Sequence, residues 1–432
     1  MRDVYVVQVG MIPFGRHYDD DVKRLTARAV EACFGGAPVT KADVQAAWFS
    51  NSGWGMVPMK AEYLPHVGQP CIRGQVALAP LGLDGIPIVN VENACASGST
   101  AFNTAYMGVL SGIHDVAVAV GVEKMAVAKD APKEIKSREL GGFIAGADVQ
   151  IMLGLMEQIK AAADKKRAEL EASGKIKKGE KKERSAFMDF YSLASRAHMD
   201  KYGTTAEQLA IIASKNHNHG SLNPLAQYRF KMTPQEVMDD YVVSYPLTRA
   251  MCAPTGDGAA AAVLVSGDYL KKLGPSVRAV KIRSSVLGST KLDMSGPARA
   301  RALAKQAYDT AGLGPDDIDF AEVHDATAFG ELSQTENLGF CAEGEGGPYA
   351  ASGATSLGGA RPINPCGGLE SKGHPIGATG LAMVAECFWQ LRGEAGARQV
   401  EGARVGMIEN GGGFLGQGEA AIVMNILEGP SG

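Results

Sequence analysis

The sequence predicts a layered α/β fold assembled from two similar halves, on three observations. Glycine supplies 54 of the 432 residues, against roughly 7% on average, which points to many tight turns and close backbone approaches. Short apolar runs alternate with helix-patterned stretches in both halves, as βαβ units require. The segment Gly256-Asp257-Gly258-Ala259-Ala260-Ala261-Ala262-Val263 recurs as Gly416-Gln417-Gly418-Glu419-Ala420-Ala421-Ile422-Val423, at a constant offset of 160 residues.

The elements follow in order. Residues 4 to 9 read as a strand and 22 to 34 as a helix; Lys41-Ala42-Asp43-Val44 then leads into an apolar run, Ala46 to Phe49. Ile86 to Val91 has the pattern of a buried strand, and Ser99 to Leu110 is helical. The second half repeats the theme with a strand at Val280 to Ile282 and a helix over Ala298 to Ala311. Pro315-Asp316-Asp317-Ile318 leads into a strand at Phe320 to Val323, and Leu381 to Leu391 is a helical run. Each half carries one sharp strand-to-helix corner: Asn93-Ala94-Cys95-Ala96-Ser97-Gly98 in the first, Gly373-His374-Pro375-Ile376-Gly377-Ala378-Thr379-Gly380 in the second. Corner and closing strand lie 164 residues apart in the first half and 45 in the second, so about 119 residues are inserted within 122–250. The expected organisation is 1–121 with 251–270 as the first half, 122–250 as an inserted loop domain, and 271–432 as the second half.

Composition excludes several classes. Lys+Arg 43 against Asp+Glu 47 gives a net charge of -4, without the cationic surplus that binds a phosphate backbone, so no nucleic-acid partner is expected. No run reaches the ~20 apolar residues of a membrane span, and the first twenty residues do not read as a signal peptide. The seven cysteines are scattered without a CxxC pair; a disulfide scaffold and a metal site in this chain are not expected, and a reducing cytoplasm is the expected location. Lys160 to Arg184 holds ten basic and five acidic residues, either a solvated face or a cationic rim that draws a phosphorylated ligand towards a cleft.

Two corners carry the chemistry. A thiol at a helix N-terminus feels the positive end of the dipole, which lowers its pKa, and the small neighbours of Cys95 permit a tight elbow that presents the sulfur. His374 occupies the matching corner of the second half. If the halves pack about a pseudo-twofold axis, thiol and imidazole meet as nucleophile and base. His324, in Glu322-Val323-His324-Asp325, ends a strand that approaches the same spot. Gly411-Gly412-Gly413 suits an oxyanion hole made of backbone N–H groups.

These motifs, with Asn364-Pro365 and Gly367-Gly368-Leu369, resemble the thiolase superfamily over about residues 3 to 427. His324-Asp325 in place of Asn-Glu, and Asn216-His217 followed by Leu222-Asn223-Pro224-Leu225-Ala226-Gln227, resemble its sterol-carrier-protein-2 type. The resemblance implies two βαβαβαββ halves in a five-layered α-β-α-β-α arrangement, with the inserted loop domain over coenzyme A, the co-substrate. It implies that Cys95 takes the acyl group, that His374 activates it, and that His374 and a water held by His324 polarise the thioester oxygen. The amides of Cys95 and Gly411 would form the second oxyanion hole. A homodimer or higher homo-oligomer is the implied assembly.

The sequence departs from the family at the proton shuttle. Thiolases usually carry a second cysteine two residues before the glycine run, where this chain has Glu409. The sterol-carrier type has one after His-Asp, where this chain has Ala326. Glu409 is therefore the expected shuttle, if burial raises its pKa, and Cys366 is a weaker candidate. The expected activity is CoA-dependent cleavage of a 3-oxoacyl-CoA, or the reverse Claisen condensation. An unusual substrate such as benzoylsuccinyl-CoA and a small zinc-ribbon/OB-fold partner subunit fit these departures. The alternatives are a retro-aldolase or condensing enzyme of the same superfamily, or a non-catalytic acyl-CoA-binding subunit.

Overall fold

A computed structural model describes residues 2–52, 72–126, 149–174, 186–290, 298–415 and 418–430. The first half runs β1 (Val4–Met11), α1 (Val22–Phe34), β2 (Ala46–Ser50), α2 (Arg73–Leu78), β3 (Ile88–Val91), α3 (Ser97–Leu110) and β4 (Val116–Glu123). The inserted stretch carries α4 (Val149–Ala172), α5 (Ala186–Tyr202), α6 (Ala206–Ser221), α7 (Pro234–Asp239) and the short strands β5 (Val242–Ser244) and β6 (Leu247–Thr248). The chain then returns to the first half as β7 (Gly258–Ser266) and passes through α8 (Gly267–Leu273). The second half follows as β8 (Val280–Ser289), α9 (Arg299–Ala311), β9 (Phe320–Glu322), α10 (Ala328–Asn337), α11 (Gly346–Ala351), α12 (Gly368–Lys372), α13 (Ile376–Arg392), β10 (Val405–Leu415) and β11 (Gly418–Glu428).

The strands form one nine-stranded sheet in the order β3-β2-β4-β7-β1-β8-β11-β10-β9. Its two parts share one topology: outward from the centre, the opening strand pairs with the closing one, which pairs with the fourth and then the second. Among the described residues the second half shows no full third strand, and Ile363 takes that place with a single parallel bridge to Ala321. The two parts join through only Tyr5↔Lys281 and Val6↔Val280. The central strands are buried on both faces, which is why β4 and β7 read as continuous Val/Ala runs rather than alternating ones.

Three apolar cores set the layers. Leu25, Val30, Phe49 and Val118 pack α1 and α2 on the outer face of the first half. Leu303, Tyr308 and Met407 do the same for α9 on the second half. Between the two faces lie α3 and α13, packed through Phe102, Trp48, Leu381 and Phe320. The result is the α-β-α-β-α order. The two central helices cross at glycines of the two corners: a Cβ on Gly380 would sit 2.2 Å from the Ser99 amide nitrogen, and one on Gly98 would sit 3.0 Å from that of Gly380. The corners are thereby forced together at the helix N-termini.

Two features differ from the sequence reading. The third strand is not buried but forms the sheet edge, with Val89 44% exposed; its apolar run reads alike in either setting. The helix after His374 starts at Ile376, five residues earlier than its apolar run, because the glycines of the corner are helical. Part of the charged stretch, residues 175–184, lies outside the described residues. Its beginning, on α4, carries the intrahelical pairs Lys166–Glu169 and Arg167–Glu171.

Candidate active site

Cys95 sits in a single 3-10 turn, Ala94–Ala96, that leads directly into α3. Ala94 adopts φ 49, a strained left-handed value for a residue with a side chain, so the turn is sharp. The glycine run of β10 lies flat against it: a Cβ on Gly412 would be 2.2 Å from the Asn93 carbonyl oxygen. The Gly413 amide faces the Cys95 sulfur. Gly412 and Gly413 line the cavity above the sulfur. Gly411, the expected oxyanion donor, does not line it, because the Glu419 carboxylate covers its face, 2.0 Å from where a Cβ would stand. The main-chain donor beside the sulfur is thus Gly413.

His374 arrives from the second corner, between α12 and α13. Its Nδ1 lies 2.8 Å from Thr379 Oγ1, and the Thr379 hydroxyl donates to the Pro375 carbonyl at 3.0 Å. A hydroxyl that spends its proton on Pro375 can only accept from the ring. His374 is therefore protonated on Nδ1 and presents a bare Nε2, an assignment that follows from the network. Nε2 has no protein partner. The His324 ring is 5.3 Å from that of His374, centroid to centroid, and the Gly411 backbone lies beside it as a weak hydrogen-bonding neighbour. The Cys95 sulfur and one nitrogen from each histidine lie within 4.8 Å of one another. Among the described residues no other group of His, Cys, Asp or Glu offers three metal-ligand atoms so close together.

Burial dominates the electrostatics. It pushes the Cys95 thiol up to about 12, with the Glu419 and Glu123 carboxylates adding to the shift and the Gly413 amide only partly opposing it. The helix-dipole expectation of a lowered thiol pKa is overturned, since desolvation outweighs a partial charge at the helix end. Burial also drives His324 down to about 4 and His374 well below the usual range, the neighbouring His324 and Lys372 contributing. At neutral pH the resting trio is an uncharged thiol and two uncharged imidazoles.

Glu409 is fully buried but does not reach the cavity. Its Oε2 accepts the His324 backbone N–H at 2.9 Å, so it fixes the end of β9 rather than facing substrate. This corrects the expectation that it faces Cys95; its carboxylate is taken up by the His324 amide, and Glu419 occupies the space over Gly411, two residues further along β10. Burial and the charge of Glu419 hold its carboxyl well above the usual range. Cys366 is buried too, with its thiol donating to Glu322 Oε2 at 2.7 Å, away from the cavity.

The cavity, about 180 Å³, is walled by Met125, Met188, Tyr191, Ile376 and Phe414 on its apolar sides. Tyr191, Cys252 and Glu419 are titratable lining residues that the sequence reading missed. Glu419 stands inside the very segment that revealed the duplication, where its first-half counterpart is Ala259. That difference was the available signal. The Asn216-His217 motif has a positioning role: Asn216 Nδ2 donates to Asp325 Oδ2 at 3.1 Å and Glu331 Oε2 at 2.9 Å. Asn223 Nδ2 donates to the Cys366 carbonyl at 2.9 Å. Asp325 in turn accepts the Leu369 amide at 2.7 Å. The insertion is thus tied to both histidine-bearing loops.

The N-terminal thiolase domain family matches residues 4–244, and the thiolase C-terminal domain-like family matches residues 285–425. The chain belongs to the thiolase family. It is 36% identical to the acetyl-CoA acetyltransferase of Methanothermobacter thermautotrophicus, over 96% of this chain and 98% of that one. Human sterol carrier protein 2 is 35% identical over 98% of this chain and 71% of its own length. The benzoylsuccinyl-CoA thiolase subunit BbsB of Thauera aromatica is 32% identical over 93% of this chain and 92% of that one. The fold is also that of an Ltp2-ChsH2(DUF35) aldolase structure, with TM-score 0.73, 20% identity and coverage of 99% and 98%. This thiolase is an acyltransferase enzyme of sterol-carrier-protein-2 type, and coenzyme A is the co-substrate of its family. Among the described residues no helix is long and apolar enough to cross a membrane.

Proposed function

We propose that this enzyme cleaves a 3-oxoacyl-CoA with coenzyme A, or runs the reverse condensation, through an acyl group carried on Cys95. The observation that carries this reading is the meeting of a cysteine elbow with a bare imidazole nitrogen under an apolar cavity. His374 Nε2 takes the thiol proton as the sulfur attacks the keto carbon. Because both groups are neutral at rest, transfer and attack run together. The amides of Cys95 and Gly413 stabilise the alkoxide that forms. His324 and the protonated His374 face the thioester oxygen on which enolate charge develops when the C–C bond breaks. Two charge sites in one turnover account for two histidines.

Residues 122–250 are assigned to coenzyme A binding, with 1–121 and 251–270 as one half and 271–432 as the other. The substrate is drawn from the aromatic or branched 3-oxoacyl thioesters, for which the Met, Tyr and Phe walls are suited; benzoylsuccinyl-CoA is the first to try, since a relative bears that name. The same relative is named as a subunit and one structural neighbour as a DUF35 complex, which supports a small zinc-ribbon/OB-fold partner for this chain. The exposed edge strand β3 supports homodimerisation by strand pairing, and six free cysteines among the described residues fit a cytoplasmic degradative enzyme. A panel of 3-oxoacyl-CoA thioesters assayed for CoA-dependent cleavage tests the reading. Cleavage that needs both CoA and Cys95 supports it; cleavage of a β-hydroxyacyl-CoA by C95A at the wild-type rate establishes a retro-aldolase instead.

A further inference from the structure

We propose that Glu419 is the acid–base group that carries the substrate Cα proton in this thiolase, an inference that rests on the thiolytic reading above. Three observations converge on it. Glu419 lines the same cavity as Cys95, His324 and His374. Its Oε1 lies 3.8 Å from His324 Nδ1, on the histidine assigned to the thioester oxygen. That oxygen belongs to the carbonyl next to Cα, so the carboxylate is on the side where Cα must lie. Its Oε2 is held by the Gln334 amide at 3.2 Å, which steers the side chain over the bare face of Gly411. Any Cβ at 411 would exclude it, so the glycine run has a purpose beyond an oxyanion hole: it houses this carboxylate.

The chemistry fits. Burial raises the Glu419 carboxyl to about 7, with the Gln334 contact partly opposing the rise, so both forms are populated near neutral pH, as a group that gives and takes a proton in one turnover requires. The titratable groups around it are His324, Glu409, Cys95 and Tyr191. Its rivals in the cavity are less suited. Cys252 turns its sulfur to the Thr248 carbonyl at 3.3 Å, and burial raises its thiol. Tyr191 is raised well above its ordinary value by burial and by Glu419 itself. Neither gives up a proton readily at neutral pH.

The cycle balances. Cys95 passes its proton to His374 and bonds to the keto carbon. The C2–C3 electron pair goes to C2, which takes the proton of neutral Glu419, and the shortened acyl-CoA leaves. An incoming CoA thiol then returns a proton to the Glu419 carboxylate and attacks the Cys95 thioester. The departing Cys95 thiolate recovers its proton from His374. Every group ends as it began.

Glu419→Gln keeps the shape and the Gln334 contact but ends the proton traffic. The test uses the full chain in deuterated buffer, reading acetyl transfer onto Cys95 from p-nitrophenyl acetate and deuterium uptake into the methyl of acetyl-CoA separately. Acylation by the ester, whose phenolate leaves without taking a proton from Glu419, should stay within about threefold, while exchange falls by roughly 10²–10⁴-fold. Wild-type exchange should rise with pH through about 7 as Glu419 ionises, and this rise should be absent in the variant. Gly411→Ala, which displaces the carboxylate without removing it, should lose exchange as well, and a thermal melt certifies that both variants fold. Full exchange in a folded E419Q, or its loss in C252A instead, overturns the assignment. If wild-type Cys95 is never acylated, the thiolytic reading fails first, and the two failures are told apart in one experiment.

Discussion

Thr379→Val isolates the step on which acylation depends. The Thr379 hydroxyl is the acceptor for His374 Nδ1–H, and threonine and valine have nearly the same shape. The Pro375 carbonyl that Thr379 also bonds still accepts the Ala378 and Thr379 amides at 2.9 and 3.0 Å, so the helix start loses little. The ring loses more. It must either keep a buried N–H without an acceptor, at about 1–3 kcal/mol, or move its proton to Nε2 and cease to be a base towards Cys95. With about 1.36 kcal/mol per tenfold, acylation should slow by roughly 5–150-fold while the melting temperature shifts little. The assay is the pre-steady-state release of CoA from acetyl-CoA, and Thr379→Ser should restore most of the rate. An unchanged rate in a folded T379V would refute the tautomer assignment and the role of His374 as base.

Three more outcomes are expected. With the Cys95 thiol raised to about 12, the thiolate fraction is smaller than in free cysteine at every pH below that value. Alkylation by iodoacetamide should therefore climb through about pH 9 with no inflection between about 5 and 8; an inflection there would reveal a preformed thiolate–imidazolium pair. Gly380→Ala puts a Cβ 2.2 Å from the Ser99 backbone nitrogen, where neither helix can yield, so thermal unfolding should register a loss of about 1–3 kcal/mol or more; an unchanged midpoint would contradict the glycine crossing. If the charged stretch from Lys160 steers coenzyme A, the KM for CoA should rise with ionic strength while the maximal rate holds, and a salt-independent KM removes that role.

Elements whose pattern and boundary signals agree were legible in the sequence. The helix from Val22 to Phe34 begins where Asp21 caps it and ends at Gly35, as its pattern implies. The meeting of Cys95 and His374 was legible because both sit at glycine-rich corners, and duplication brings matching corners together. The exposure of β3 was not, since an edge strand of a large sheet can be as apolar as a central one. Glu409 misled because position in a motif does not fix how near a side chain comes to the cavity. Its carboxylate is engaged by the His324 amide, and the space over Gly411, two residues along the same strand, belongs to Glu419. Glu419 was hidden for the opposite reason. It reaches the site from the neighbouring strand, across the gap that Gly411 leaves, and no local spacing encodes such a contact. The lowered thiol pKa failed because a sequence displays the helix dipole but not the depth of burial that opposes it.

Acyl transfer to Cys95 is the step from which the proposed chemistry follows. Incubating the enzyme with acetyl-CoA alone, quenching in acid and mapping the peptides by mass tests it most directly. One acetyl group is expected, on the peptide holding Cys95, absent from C95A and removed by free CoA. An enzyme that stays unmodified while cleaving its substrate, or one acylated at another residue, would contradict it.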